Sequence, residues 1–181
     1  MTQASSLEFA LIGLLKQKAQ SGYDLRKAFT TTPMRHFSDS PGSIYPALRR
    51  LQTRKWISVS KDASGRKRQL FRVTQAGERA FLEWLQTPVT REDVIWRIDT
   101  VFIRFAFQGD NVPRNVSLRF LDQFEEQLVS YTRELRQYAE ESGLACSSTT
   151  GALAFASGVE GYQSQLAWTR QARKKLMEAS S

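Results

Sequence analysis

The chain has 181 residues, 41% hydrophobic and 24% charged, which suits one domain of ordinary size, or one small domain plus a helical extension, and excludes a disordered tail. One cysteine, Cys146, and one histidine, His36, leave no internal disulfide and no zinc cluster, so neither a metal nor another cofactor is expected. The net charge of +8 divides unevenly, with 15 Lys and Arg against six Asp and Glu over 1–88 (+9) and 11 against 12 over 89–181 (−1); a basic module joined to a neutral one points to a polyanion partner.

In chain order, the first helix is signalled by the capping-box spacing of Ser5 and Glu8. Leu7, Ala10, Leu11, Leu14 and Leu15 then recur at three and four residues. It is expected to end near Ala19, ahead of the Ser21–Gly22 break. Its apolar run, Phe9–Leu15, is seven residues against the roughly 20 of a membrane span, and the start Met1-Thr2-Gln3-Ala4 carries no basic run. No membrane association and no signal peptide are expected, and the cytoplasm is the expected setting. A short second helix covers about Tyr23–Phe29, with Tyr23 expected mainly in the core. The stretch 30–39 reads as a loop in which Pro33 limits any continuation.

The third helix is expected to start between Pro41 and Ser43 and to end near Lys55. A proline costs about 3 kcal/mol or more inside a helix but little in its first turn. Ser43 is therefore read as the N-cap, with Pro46 in the first turn. Ile44, Ala47, Leu48 and Leu51 form one apolar stripe, and Tyr45, Pro46, Arg49, Arg50 and Thr53 lie mostly off it. Trp56–Lys61 reads as a strand with Ile57 and Val59 alternating against serines. Residues 62–65 read as a turn and 66–73 as the returning strand, with Phe71 and Val73 on one face. The tip carries Arg66, Lys67 and Arg68 in a row. Thr74 caps a fourth helix to about Gln86, and Pro88 closes the module.

Beyond Pro88 the chain reads as all helical. One helix runs from a Thr90–Asp93 capping box to about Gln108, ended by Gly109. A long one opens at Pro113 and ends at Gly143, with Val116, Phe120, Phe124, Leu128, Tyr131, Leu135 and Tyr138 at spacings of three or four. After a loop holding Cys146, a last helix spans about Thr149–Met177. The fold class is mainly α with a small β-hairpin: a winged helix-turn-helix over 1–88, then an all-α domain over 89–181.

This order has a physical logic. The major groove of DNA admits one helix, and the third helix has the length and a non-core face to offer. Ser43 and the amides at that helix start can donate to phosphate. Arg49 and Arg50 can reach phosphates or guanine edges, and the Arg66-Lys67-Arg68 tip suits a backbone or minor-groove contact. Taken singly, each cationic group is as well explained by solvation. Their co-occurrence in one basic module is what favours DNA.

Leu7-Glu8-Phe9-Ala10-Leu11-Ile12-Gly13-Leu14-Leu15 and Ser21-Gly22-Tyr23-Asp24-Leu25 resemble the opening of the PadR family of bacterial transcriptional regulators. Pro41-Gly42-Ser43-Ile44-Tyr45-Pro46-Ala47-Leu48-Arg49-Arg50-Leu51 resembles that family's recognition helix. Gly65-Arg66-Lys67-Arg68, Phe71-Arg72-Val73-Thr74 and Ala76-Gly77 extend the resemblance through the wing, so that it covers about 6–84. Asp99 to Phe107 resembles, more loosely, the start of the longer C-terminal helical domain of one subgroup. The resemblance implies a homodimeric repressor of double-stranded DNA, with recognition helices in successive major grooves of a palindrome. It places DNA contacts at Ser43, Tyr45, Pro46, Arg49 and Arg66 to Arg68.

A dimer is also expected without the family. One winged helix makes few phosphate contacts, and affinity at cellular salt falls steeply with each one missing. Phe120, Phe124, Leu128, Tyr131, Leu135 and Tyr138 are the expected dimer stripe, the alternative being that they pack within their own chain. Among Trp96, Phe102, Phe105, Phe107, Phe155, Tyr162 and Trp168, a pocket for a small aromatic effector is sought at Trp96, Phe105, Tyr162 and Trp168; aromatics at helical spacing are otherwise ordinary core. No paired carboxylates, nucleophile or phosphate loop recommends an enzyme. The competing reading is a winged-helix protein–protein interaction module without specific DNA readout.

Overall fold

The computed structural model describes residues 4–31, 41–61 and 69–178. The chain divides into two compact units, Met1–Leu85 and Gln86–Ser181. Most of the expected 30–39 loop, the hairpin turn and the Arg66-Lys67-Arg68 tip lie outside the described residues.

In the first unit, helix α1 (Ser6–Gln17) begins at a complete capping box. Glu8 N donates to Ser5 Oγ at 3.3 Å, and Ser5 N donates to Glu8 Oε2 at 2.7 Å. Strand β1 (Gln20–Ser21) and helix α2 (Gly22–Thr31) follow, then helix α3 (Ile44–Thr53), strands β2 (Ile57–Lys61) and β3 (Gln69–Val73), and helix α4 (Gln75–Leu85). The α1 residues Phe9 to Gly13 and Leu15 are buried, so this helix is the hub. Ile44, Ala47, Leu48 and Leu51 of α3 are buried as one stripe, and Phe81 and Leu85 come in from α4. The Phe9 ring stacks on Trp84 with centroids 4.7 Å apart.

The sheet is antiparallel in the order β1-β3-β2. Strand β1 was not expected: at two residues it is too short to show an alternation, and it exists because Gln20 pairs with Phe71. Val59 also departs from expectation. Ile57 is buried, but Val59, on the outer strand, is exposed while its cross-strand partner Phe71 is covered.

Helix α3 is entered through a 3₁₀ turn, Pro41–Ser43. Ser43 stands at the N-cap position as expected, with Pro46 in the first turn, but its backbone angles are helical and its side chain makes no capping hydrogen bond. The exit is a Schellman arrangement: Lys55 N donates to Gln52 O and Trp56 N to Leu51 O, with Lys55 at φ +58°. Thr74 then locks α4 onto this corner. Its Oγ1 donates to Lys55 O at 2.7 Å and accepts from Gly77 N at 3.2 Å. Gly77 is required there, because a Cβ would lie 2.1 Å from the Trp56 carbonyl oxygen.

The second unit holds helices α5 (Arg91–Trp96), α6 (Ile98–Gln108), α7 (Arg114–Glu141) and α8 (Thr150–Glu178). The single helix expected over 91–108 is broken at Arg97 (φ −139°, ψ 32°). The break brings Arg104 Nη1 to 3.7 Å from Asp93 Oδ2. In a straight helix, residues this far apart in sequence would stand about 16 Å apart along the axis at 1.5 Å per residue. Gly109 and Gly143, both at positive φ, end α6 and α7 as expected. Val89, Val94, Val101, Phe120, Phe124 and Leu128 form the core. Among the described residues, no helix is long and apolar enough to cross a membrane.

Candidate nucleic-acid interface

Helix α3 presents two faces. Its apolar stripe seats it on α1 and α2, and Tyr45, Pro46, Arg49, Arg50, Gln52 and Thr53 are left exposed. Tyr45, Arg49 and Gln52 line an open groove of about 590 Å³, completed by Leu48 below them, Ser21, Gly22 and Tyr23 at the start of α2, and Gln69 and Phe71 on β3. Gly22 lets the Tyr45 ring lie close over that helix start; a Cβ there would sit 2.7 Å from the ring. Ser21 Oγ caps α2 by accepting from Asp24 N at 3.2 Å and donates to Asp24 Oδ2 at 2.6 Å. Tyr23 is 62% exposed and faces the groove, not the core as expected. The buried residues of α2 are Leu25 and Phe29, and at 100° per residue Tyr23 stands on the opposite face of the helix.

The two adjacent arginines part company. Arg49 lines the groove and forms no ion pair among the described residues. Arg50 Nε donates to Glu8 Oε1 at 2.8 Å, and Glu8 is only 1% exposed. Glu8 thus caps α1 and holds α3 at once, and Arg50 is in large part a structural tie. This corrects the expectation that both arginines serve one face. Nothing in the local sequence separates them; the missing signal was the partner 42 positions upstream. Ser43 is half-buried at the entrance of α3, and Pro46 is exposed in its first turn. Arg54 is spent differently, with its guanidinium 5.1 Å from the Trp56 ring centroid.

In the second unit, the expected dimer stripe is largely consumed by its own chain. Phe120, Phe124 and Leu128 are buried in the core, Tyr131 packs edge-on against Tyr162 at 5.0 Å, and Leu135 is half-buried. Of the six, only Tyr138 is exposed, at 55%. The covering elements are α5 and α6, which bring Val94 and Val101 onto Phe120, Phe124 and Leu128, and α8, antiparallel to α7 and pinned by Arg170 to Glu125 at 2.7 Å and by Arg173 to Asp122.

The expected effector residues do not converge either. Trp168 meets Phe102 and Phe105 edge-on at 5.0 and 5.6 Å, so these rings fill the space between them. Tyr162 is engaged with Tyr131, and Trp96 stands 80% exposed. An open groove of about 730 Å³ between α7 and α8 is lined by other residues, among them Thr132, Arg133 and Arg136.

The second unit also buries an arginine that no local pattern in the sequence marks. Arg104 is buried with its guanidinium 4.8 Å from the Phe120 ring, beside Asp93, which also caps α5 and pairs with Arg97 at 3.2 Å. Burial lowers the pKa of Arg104, and the Asp93 carboxylate opposes that shift.

Residues 11–83 match the PadR-like family of transcriptional regulators. Over 81 residues the chain is 28% identical to the negative transcriptional regulator PadR of Bacillus subtilis (strain 168), a stretch covering 44% of this chain and 44% of that relative. Solved structures are similar over more of the length. B. subtilis PadR in complex with operator DNA is 18% identical, covering 95% of this chain and 99% of its own, with a TM-score of 0.43. A PadR-like regulator from Bacillus cereus is 25% identical, covering 98% and 100%, with a TM-score of 0.40. B. subtilis PadR in complex with p-coumaric acid is 19% identical, covering 97% and 98%, with a TM-score of 0.40.

Proposed function

We propose that this chain, a member of the PadR-like family of transcriptional regulators through its first unit, is a sequence-specific repressor that places α3 in the major groove of its operator. The observation that carries the reading is the exposed Tyr45–Arg49–Gln52 face of α3 in a unit of net charge +9. A cationic helix face beside an open groove offers both terms of DNA binding, phosphate neutralisation for affinity and side chains for base edges. Ser43, Pro46, Arg66, Lys67 and Arg68 belong to the same proposed surface, with the wing on the adjacent backbone or minor groove. Tyr23 joins it, as it is exposed and lines the same groove as Tyr45.

The active species we propose is a homodimer on a palindrome, acting in the cytoplasm, with contacts between protomers from the second unit. Phe120, Phe124 and Leu128 support that interface from beneath, and Tyr138 belongs to its surface. Release by a small aromatic effector is part of the reading, of the class that B. subtilis PadR holds as p-coumaric acid. Adding that acid to the protein–DNA complex tests this part, and unchanged binding removes it.

The test of the whole is binding to the DNA upstream of the protein's own gene, titrated against random duplex at two salt concentrations. A strong preference with two protomers per site is expected. Weak, salt-labile binding equal on both DNAs would favour the winged-helix interaction module instead.

A further inference from the structure

We infer that Gln52 reads a base edge, selecting adenine at one position of each half-site; the inference rests on the DNA reading above. Tyr45, Arg49 and Gln52 follow one another at four and three residues and line the same groove, so they form one row on α3. At 1.5 Å per residue the row is about 10 Å long, close to three base-pair steps of about 3.4 Å.

The chemistry along the row is divided. Arg50 is drawn off it by Glu8, and Thr53, next to Gln52, has its hydroxyl donating to Arg49 O at 3.0 Å. Arg49 is left as the cation of the row and Gln52 as its neutral hydrogen-bonding end. A neutral amide adds little to attraction for phosphate. It presents one acceptor and two donors, the set that matches N6 and N7 of adenine, whereas Arg49 matches O6 and N7 of guanine. Gln52 is exposed and projects from a helix whose other side is locked on the core, so its position is set by the fold.

The experiment is selection of bound sequences from a randomised duplex pool, with the full chain and its Gln52→Ala and Arg49→Ala variants. Gln52 is exposed, and equal thermal unfolding of the variants establishes that they are folded. Gln52→Ala is expected to enrich the wild-type motif with the adenine preference lost at one position per half-site. Its affinity for the wild-type motif should fall about tenfold to a hundredfold, with affinity for random duplex unchanged. Arg49→Ala should relax a neighbouring guanine position instead. An unchanged motif with unchanged affinity overturns the inference, as does an equal loss on motif and random DNA, which makes Gln52 a backbone contact. A wild-type chain that enriches no motif overturns the DNA reading itself, and this inference with it.

Discussion

In the second unit Arg91, Arg97, Arg104, Arg170 and Arg173 all end on carboxylates of that unit, at Glu134, Asp93, Glu125 and Asp122. In the first unit the pairs Arg50–Glu8 and Lys16–Glu78 leave nine positive charges in excess. The second unit carries 11 cations and the first 15, so the numbers of Lys and Arg distinguish them less than the acids do, 12 in the second against six in the first. Exposed ion pairs contribute little to stability, about 0–1 kcal/mol each, but they cancel the field that would steer a polyanion. The electrostatic footprint therefore belongs to the unit whose cations are in surplus.

The largest test of this contrast compares the two carboxylates that do most structurally. Asp93→Ala takes the carboxylate from Arg104, which stays buried beside Phe120 with the Thr87 carbonyl as its remaining partner, and removes one of the two bonds of the α5 capping box. It is expected to cost about 3–5 kcal/mol, the usual loss when a buried pair loses one member. Glu8→Ala also removes half of a capping box and an arginine partner, but Arg50 is half-exposed and is rehydrated, so about 1–2 kcal/mol is expected. Chemical denaturation of both variants checks the ranking. Equal losses would mean that Arg104 escapes to solvent when its partner is removed.

Gly77→Ala comes next. The new methyl meets the backbone carbonyl of Trp56, which cannot swing away without moving β2, and about 2–3 kcal/mol is expected from overpacking. The damage should be confined to the first unit. Specific DNA binding should fall at temperatures where far-ultraviolet circular dichroism still reports most of the helix. A variant as stable as the wild type would show that the α3–β2 corner yields.

These two sites also mark what could be read from the residues in order. Capping boxes at Ser5 and Thr90, the α3 stripe and the helix ends at Gly109 and Gly143 were legible, because each is a local pattern of polarity or of positive φ. The break at Arg97 was not, because its cause is a pairing between Asp93 and Arg104 that an uninterrupted helix would forbid. On the candidate interface, Tyr45 and Arg49 were legible from the face they occupy. Tyr23 and Gln52 were not, since their place is set by a groove shared with β3, and the Arg50 tie was hidden by sequence distance.

The adjacent arginines of α3 give the next test. Arg49→Ala is expected to weaken specific DNA binding by about 1–3 kcal/mol with unchanged stability, if its guanidinium meets a base edge. Arg50→Ala should do the reverse, losing about 1–2 kcal/mol of stability as buried Glu8 is left without its partner. Its specific affinity should change far less than that of Arg49→Ala. Parallel melting curves and binding isotherms separate the two. Matching losses of affinity would put both side chains on the DNA and leave Glu8 with a lesser role.

The smallest effect concerns how the two units end their helices. The long α7 ends with glycine in the left-handed region, Gly143 at φ +72°, while α3 ends with Lys55 at φ +58°. A side chain with a Cβ costs about 1–2 kcal/mol there, partly offset because glycine loses more freedom on folding. Lys55→Gly should therefore stabilise the first unit by about 0.5 kcal/mol, a small rise in melting temperature. The lysine is exposed at the end of the proposed recognition helix, where a cation adds one phosphate contact. The same variant should bind all DNA more weakly and reduce the slope of log affinity against log salt by about 0.9. Opposite signs in stability and affinity would show a residue kept for its charge against the preference of its own backbone. A gain in stability with an unchanged salt slope would remove Lys55 from the DNA surface and narrow that surface to the Tyr45–Arg49–Gln52 face and the wing.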